Sequence, residues 1–281
     1  MTIPIAQLNR KDVAQYLKAT GQSHRRDADF SGADLREADL SGISLSFASL
    51  AGAQLDGADL SRAQLRQVDL TNASLKNVRL DRARLELIYA GSASFAGAEA
   101  SGTRWEMVDL TGADFANANL RRSVVRGCAL ESARLDGADL SDGMLVHSNA
   151  GGASFRKTCL MWTSTVGTSF TGADFTEARA FFLCREIVAE IIKREAPAEP
   201  ELVNMVGAII MNRKWCYPEW KQFLEEQPKY RELAFAIFNR YPDSGCAQAL
   251  QDGWRPPESA KQRADRPSTL REQRLPSEAE R

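Results

Sequence analysis

Residues 30–42 read FSGADLREADLSG, and Phe30, Leu35 and Leu40 open a series in which a large apolar residue returns at every fifth position. Neither an α-helix, with 3.6 residues per turn, nor a strand, with period 2, repeats every five. Of the 31 multiples of five from 30 to 180, 24 are Leu or Phe, so one register runs through more than half the chain. Two positions earlier the residue is small, as at Ala33, Ala38, Ala53, Ala58, Ala63, Ala73, Ala133 and Ala173. A polar residue separates the two, and Gly recurs two positions after the large one, at Gly32, Gly42, Gly52, Gly57, Gly97, Gly112, Gly137 and Gly172. Gly there suits a tight turn after each short extended piece.

A chain that turns every five residues and points two of them inward coils into a four-sided tube, each coil hydrogen-bonded to the next. Residues twenty apart then stack, which predicts Phe95 on Phe115 and Phe155 on Phe175. In the coil holding Ala90, Phe95, Ala100 and Trp105, two small residues offset two large ones, as an interior of fixed volume requires. Trp105 is read as a core filler.

The unit, roughly Ala-(Asp/Asn)-(Leu/Phe)-X-Gly, resembles the pentapeptide repeat family over about residues 28–180. The resemblance implies a mainly β fold, a right-handed quadrilateral β-helix of about seven to eight coils, ~35 Å long at ~4.8 Å between stacked strands. It carries over no functional residues, because the repeated positions are structural.

Both open ends of such a tube need covers. At the start, residues 1–27 are expected to form a helical cap, with Asn9 capping RKDVAQYLKAT and Val13, Tyr16 and Leu17 facing the first coil. After Ala180 the period of five gives way to a helical one. Ile187, Val188, Ile191 and Ile192 line one face, and Leu202, Val203, Val206, Ile209 and Ile210 another. Prolines punctuate further helices around Glu219–Gln227 and Lys229–Arg240, so residues 181–254 read as an all-α domain. Residues 255–281 are polar, charged and Pro-containing, the composition of a disordered tail.

Chemistry is sparse. The two histidines, His24 and His147, belong to no cluster, and the five cysteines have neither a disulfide framework nor zinc-ligand spacing. No catalytic residue, cofactor or metal site is expected, and WCYPEW at 215–220 reads as a helix start with Trp215 and Trp220 as core anchors. Scattered cysteines, no basic-then-apolar start and no apolar run of about 18 residues point to a cytoplasmic protein without a membrane partner.

Binding remains. A net charge of −1 gives no general reason to bind nucleic acid directly. Some pentapeptide repeat proteins are rods resembling duplex DNA that bind type II topoisomerases such as DNA gyrase. Residues 28–178 carry 19 Asp and Glu against 14 Lys and Arg. That net of −5 compares with about 20 negative charges on a duplex of the same ~35 Å. Arg62, Arg79, Arg82, Arg121 and Arg122 interrupt one face and Arg66, Arg84, Arg104 and Arg126 the next. Mimicry would have to use the faces with Asp29, Asp69 and Asp109 or with Asp34, Asp114 and Asp174.

The competing reading is a protein-interaction scaffold. Leu87 and Met107, twenty apart and stacked on one corner with Tyr89 nearby, point outward and suit a protein partner or a homodimer contact. A second outward group, Met144, Val146, Met161, Trp162 and Val166, is expected to be covered by the helical domain.

Overall fold

The computed structural model describes residues 29–181, 184–195, 226 and 228–247. The helical cap expected over 1–27, the whole second helical face, WCYPEW, the helix expected around Glu219–Gln227 apart from residue 226, and the C-terminal tail lie outside these residues.

Six short strands stack in chain order as one parallel sheet: β1 (Ser44–Ser46), β2 (Gln64–Arg66), β3 (Arg84–Glu86), β4 (Arg104–Glu106), β5 (Val124–Arg126) and β6 (Met144–Val146). Every pairing is offset by twenty residues, Leu45 on Leu65 and Leu85 on Trp105 among them, so four pentapeptides close each coil. The sheet spans five coil-to-coil steps against the seven to eight coils expected; single-residue parallel bridges carry the same stacking outward, from Asp29–Ser49 to Cys159–Arg179. The result is a parallel β-solenoid with four outward faces. Their central positions run 29, 49, 69 on the first, 34, 54, 74 on the second, 39, 59, 79 on the third and 44, 64, 84 on the fourth.

The corners explain why the period is five. From Gly32 to Glu177 the second residue after each large one has a positive φ, with glycine at some corners and bulkier residues at others. One left-handed residue per pentapeptide makes the turn, and Ala33 N–H donating to the Phe30 carbonyl (3.0 Å) closes it.

Inside, the expected stacks form: Phe95 lies on Phe115 (4.7 Å between ring centres, 7° apart) and Phe155 on Phe175 (5.2 Å, 13°). Trp105 sits edge-on between Phe95 and Phe115 at 5.3 and 5.5 Å, and Ala90 and Ala100 at the same level are fully buried. Where threonine replaces alanine at the small inward position, its hydroxyl bonds the coil before. Thr103, Thr158, Thr163 and Thr168 donate to the carbonyls of Leu80, Leu135, Leu140 and Leu145 at 2.8–2.9 Å. A polar atom thus enters the core satisfied.

Helix α1 (Arg185–Glu195) closes the C-terminal end of the tube. Ile187, Val188, Ile191 and Ile192 are buried, as their spacing predicts. On the same helix Glu186 accepts from the Thr165 hydroxyl (2.7 Å), Glu190 from the Gly172 N–H (3.1 Å), and Arg194 donates to the Ala173 carbonyl (2.7 Å). The helix thereby satisfies polar groups that would otherwise face a further coil. Helix α2 (Pro228–Phe238) packs on α1, its bounds inside the predicted Lys229–Arg240 apart from the proline that starts it. Glu195 holds the following turn through Arg240 (2.6 Å) and the Tyr241 hydroxyl (3.3 Å).

Candidate functional site

The corner between the fourth and first faces carries Phe47, Gln67, Leu87, Met107, Gly127 and His147 in vertical register. Met107 is 56 % exposed and Tyr89, the next outward residue on the first face, 63 %; Leu87 is half-buried. The expected trio therefore comes together. Phe47, at 40 % exposure on the same corner, is an addition that the 20-residue register could have revealed.

Leu87 (φ +55°) and Met107 (φ +53°) share the left-handed corner conformation with glycines and with other bulky residues such as Phe47, Arg62 and Trp162. What marks this corner is the exposure of apolar side chains on it.

Charge separates the two acidic faces. On the second face each candidate carboxylate is paired: Asp34 with Arg36 (2.7 Å), Asp114 with Arg134 (3.5 Å) and Asp174 with Arg156 (3.2 Å). Burial alone would raise the Asp174 pKa, but hydrogen bonds from the Thr176 hydroxyl and N–H and from Arg156 hold it below the usual carboxylate range. On the first face Asp29, Asp69 and Asp109 have no ion pair among the described residues; each accepts from the backbone N–H two residues on, at Ser31, Thr71 and Thr111. The Ser31 hydroxyl and N–H hold Asp29 below its ordinary value. Tyr89 stacks between Asp69 and Asp109, an exposed aromatic flanked by unpaired carboxylates.

The second outward group needs correction. Val146 is 3 % exposed although its register position, opposite Arg126, is an outward one, whereas Met161 and Val166 remain more than 40 % exposed and Met144 and Trp162 partly so. Among the described residues, helix α1 lies across the end of the tube.

His147 is exposed and leans over Gly167. Burial raises the Cys128 and Cys246 thiols to about 11 and about 12, keeping both protonated. Among the described residues no His, Cys, Asp or Glu cluster could hold a metal ion, and no helix is long and apolar enough to cross a membrane.

The pentapeptide repeats family model matches eight copies over residues 26–62, 48–86 and 92–127. Solved structures similar to this chain include HetL, a pentapeptide repeat protein involved in heterocyst differentiation regulation from Nostoc sp. strain PCC 7120 (25 % identity, 62 % of this chain and 84 % of that one, TM-score 0.36). Another is the plasmid-mediated fluoroquinolone resistance protein QnrB1 (17 %, 55 % and 79 %, TM-score 0.43). A third is Rfr23 from the cyanobacterium Cyanothece 51142 (26 %, 40 % and 63 %, TM-score 0.24). No curated protein matches. With the matched copies continued in the same register by the stacked coils, this rod is a pentapeptide-repeat β-helix, and the chain belongs with the pentapeptide repeat proteins.

Proposed function

We propose that this protein is a non-enzymatic, cytoplasmic scaffold whose rod binds a protein partner through the Leu87–Tyr89–Met107 corner, divided as 1–27, 28–180, 181–254 and 255–281. The observation that carries this reading is an exposed Tyr89 between Asp69 and Asp109, which have no ion pair among the described residues, beside the exposed Met107 and the half-buried Leu87. An aromatic anchor with an apolar neighbour and a polar rim is the make-up of a protein-binding hot spot. A stiff tube presents it without an ordering cost at the site.

Replacing Leu87 and Met107 by Asp is expected to abolish partner association, or self-association in sedimentation, without lowering the melting temperature appreciably. Met107→Gly separates binding from folding. Glycine adopts the corner φ freely, so melting holds or rises by up to about 1 kcal/mol while association weakens. Unchanged association in both variants sinks the proposal.

Asp29, Asp69 and Asp109, which have no ion pair among the described residues, support a second reading, a DNA mimic acting on a type II topoisomerase from the first face. A supercoiling assay with and without a quinolone-type inhibitor tests it. Inhibition or protection that Asp69→Asn/Asp109→Asn removes would favour this reading; no effect above enzyme concentration would eliminate it.

A further inference from the structure

The fourth face carries a second feature that the Tyr89 corner leaves unused. Arg62, Arg82 and Arg122 stand at the corner leading into this face, with Gly102 the single gap in the column and the Arg82 side chain lying over it. Arg84 and Arg104 stand beside them, directly opposite one another in β3 and β4. Four rungs span about 14 Å, so five guanidiniums share a short stripe. Among the described residues none of the five side chains has an ion pair or hydrogen bond, whereas Arg66, Arg79 and Arg121 pair with Glu86, Asp59, and Asp139 and Asp142.

This arrangement works against folding. Like charges directly opposite on adjacent strands destabilise a sheet, and Arg84 faces Arg104 with no anion between them. Glu86 and Glu106 lie in a separate column between Arg66 and Arg126, and Asp142, which follows Arg122 at the corner, pairs with Arg121.

Towards the C-terminal end this surface becomes mainly apolar. Val124 follows Arg104 and Met144 follows Val124, before Ser164; the corner column passes through Asp142, which pairs with Arg121, to the part-exposed Trp162, and Met161 and Val166 are exposed in the flanking columns. One surface is therefore cationic along its first half and mainly apolar along its second.

We infer that the fourth face is a docking surface for an extended protein segment that carries several carboxylates followed by apolar side chains. The guanidinium fork matches carboxylate geometry in two parallel hydrogen bonds. The exposed apolar end takes the second half of the segment. A phosphate backbone would satisfy the arginines, since one strand of a duplex presents about four charges over ~14 Å. It has nothing to place on Met144, Trp162, Met161 and Val166, so a polypeptide is the occupant.

The test is fluorescence anisotropy of the full chain at low and moderate salt. The probes are a labelled peptide of six Glu followed by Leu-Val-Trp-Leu, the six-Glu half alone, a 20-base-pair DNA duplex, and vesicles containing phosphatidylserine. The composite peptide is expected to bind at least tenfold more tightly than its acidic half. Arg84→Ser/Arg104→Ser weakens it at least tenfold and flattens its salt dependence, with a melting temperature that holds or rises because the stacked like charges are gone. Met144→Ser brings the composite down towards the acidic half. Equal binding by the arginine variant, a composite no tighter than its half, or tighter arginine-dependent binding of duplex or vesicles each overturns the inference. Leu87 and Met107 occupy the corner at the other edge of this face, so the charge-neutral Met107→Gly variant leaves peptide binding intact and the two readings fail separately.

Discussion

Trp105→Ala is expected to cost the rod about 3–5 kcal/mol, the range for removing a large buried aromatic. Trp105 is fully buried and its ring touches Phe95 and Phe115 edge-on. Its stacked neighbours Leu85 and Val125 are fixed by backbone ladders on both sides, so the tube wall cannot collapse into the void. One internal control makes the prediction sharper. The indole N–H has no hydrogen-bond partner, and an orphaned buried donor costs about 1–3 kcal/mol. Trp105→Phe removes that donor while keeping most of the volume, so it should cost clearly less than the alanine change. Chemical denaturation of the three proteins decides; an alanine variant that unfolds with the wild type would mean the interior here is not close-packed.

Ile191→Asp should detach the C-terminal cap. Ile191 is fully buried at the end of the tube in the apolar stripe of α1, beside Ile187, Val188 and Ile192, and an uncompensated buried charge costs about 3–5 kcal/mol. The loss acts on more than one helix, because α2 and its following turn are tied to α1 through Glu195. With the cap displaced, Gly172 N–H and the Ala173 carbonyl lose Glu190 and Arg194, and the ring of Phe175 loses its cover, Phe181, at 6.1 Å. An open strand edge over an apolar interior recruits other chains. Light scattering should therefore report end-to-end assemblies in this variant and a single species for wild type; a monodisperse variant with an unchanged melt would show that α1 is not the end cap.

These variants probe features of different legibility. The inward positions were readable from period alone, because each pentapeptide makes its own turn and the choice between interior and surface repeats without reference to distant sequence. The same arithmetic places Phe95 on Phe115, groups Leu87 with Met107 and puts Arg84 against Arg104. Phe47 follows the same corner register as Leu87 and Met107.

Thr165 marks where period stops being informative. It occupies an inward large-residue position, which reads as a defect in the tube until Glu186 of α1 is seen to accept its hydroxyl. Val146 and Met161 likewise depend on how the last coils and the helices meet, and hydropathy gives both the same weight.

The sequence by itself determined the coil, its stacking partners and the residues that share each corner, since these follow from a period of five and a backbone that turns once per repeat. Only the tertiary structure decided which charges are available. Arg36 reaches Asp34 two residues away, Arg134 reaches Asp114 and Arg156 reaches Asp174 across one coil, and Arg84 and Arg104 reach no partner among the described residues. Long flexible side chains choose among several neighbours within a few ångströms. That choice leaves the first face acidic, the second neutralised and the fourth basic.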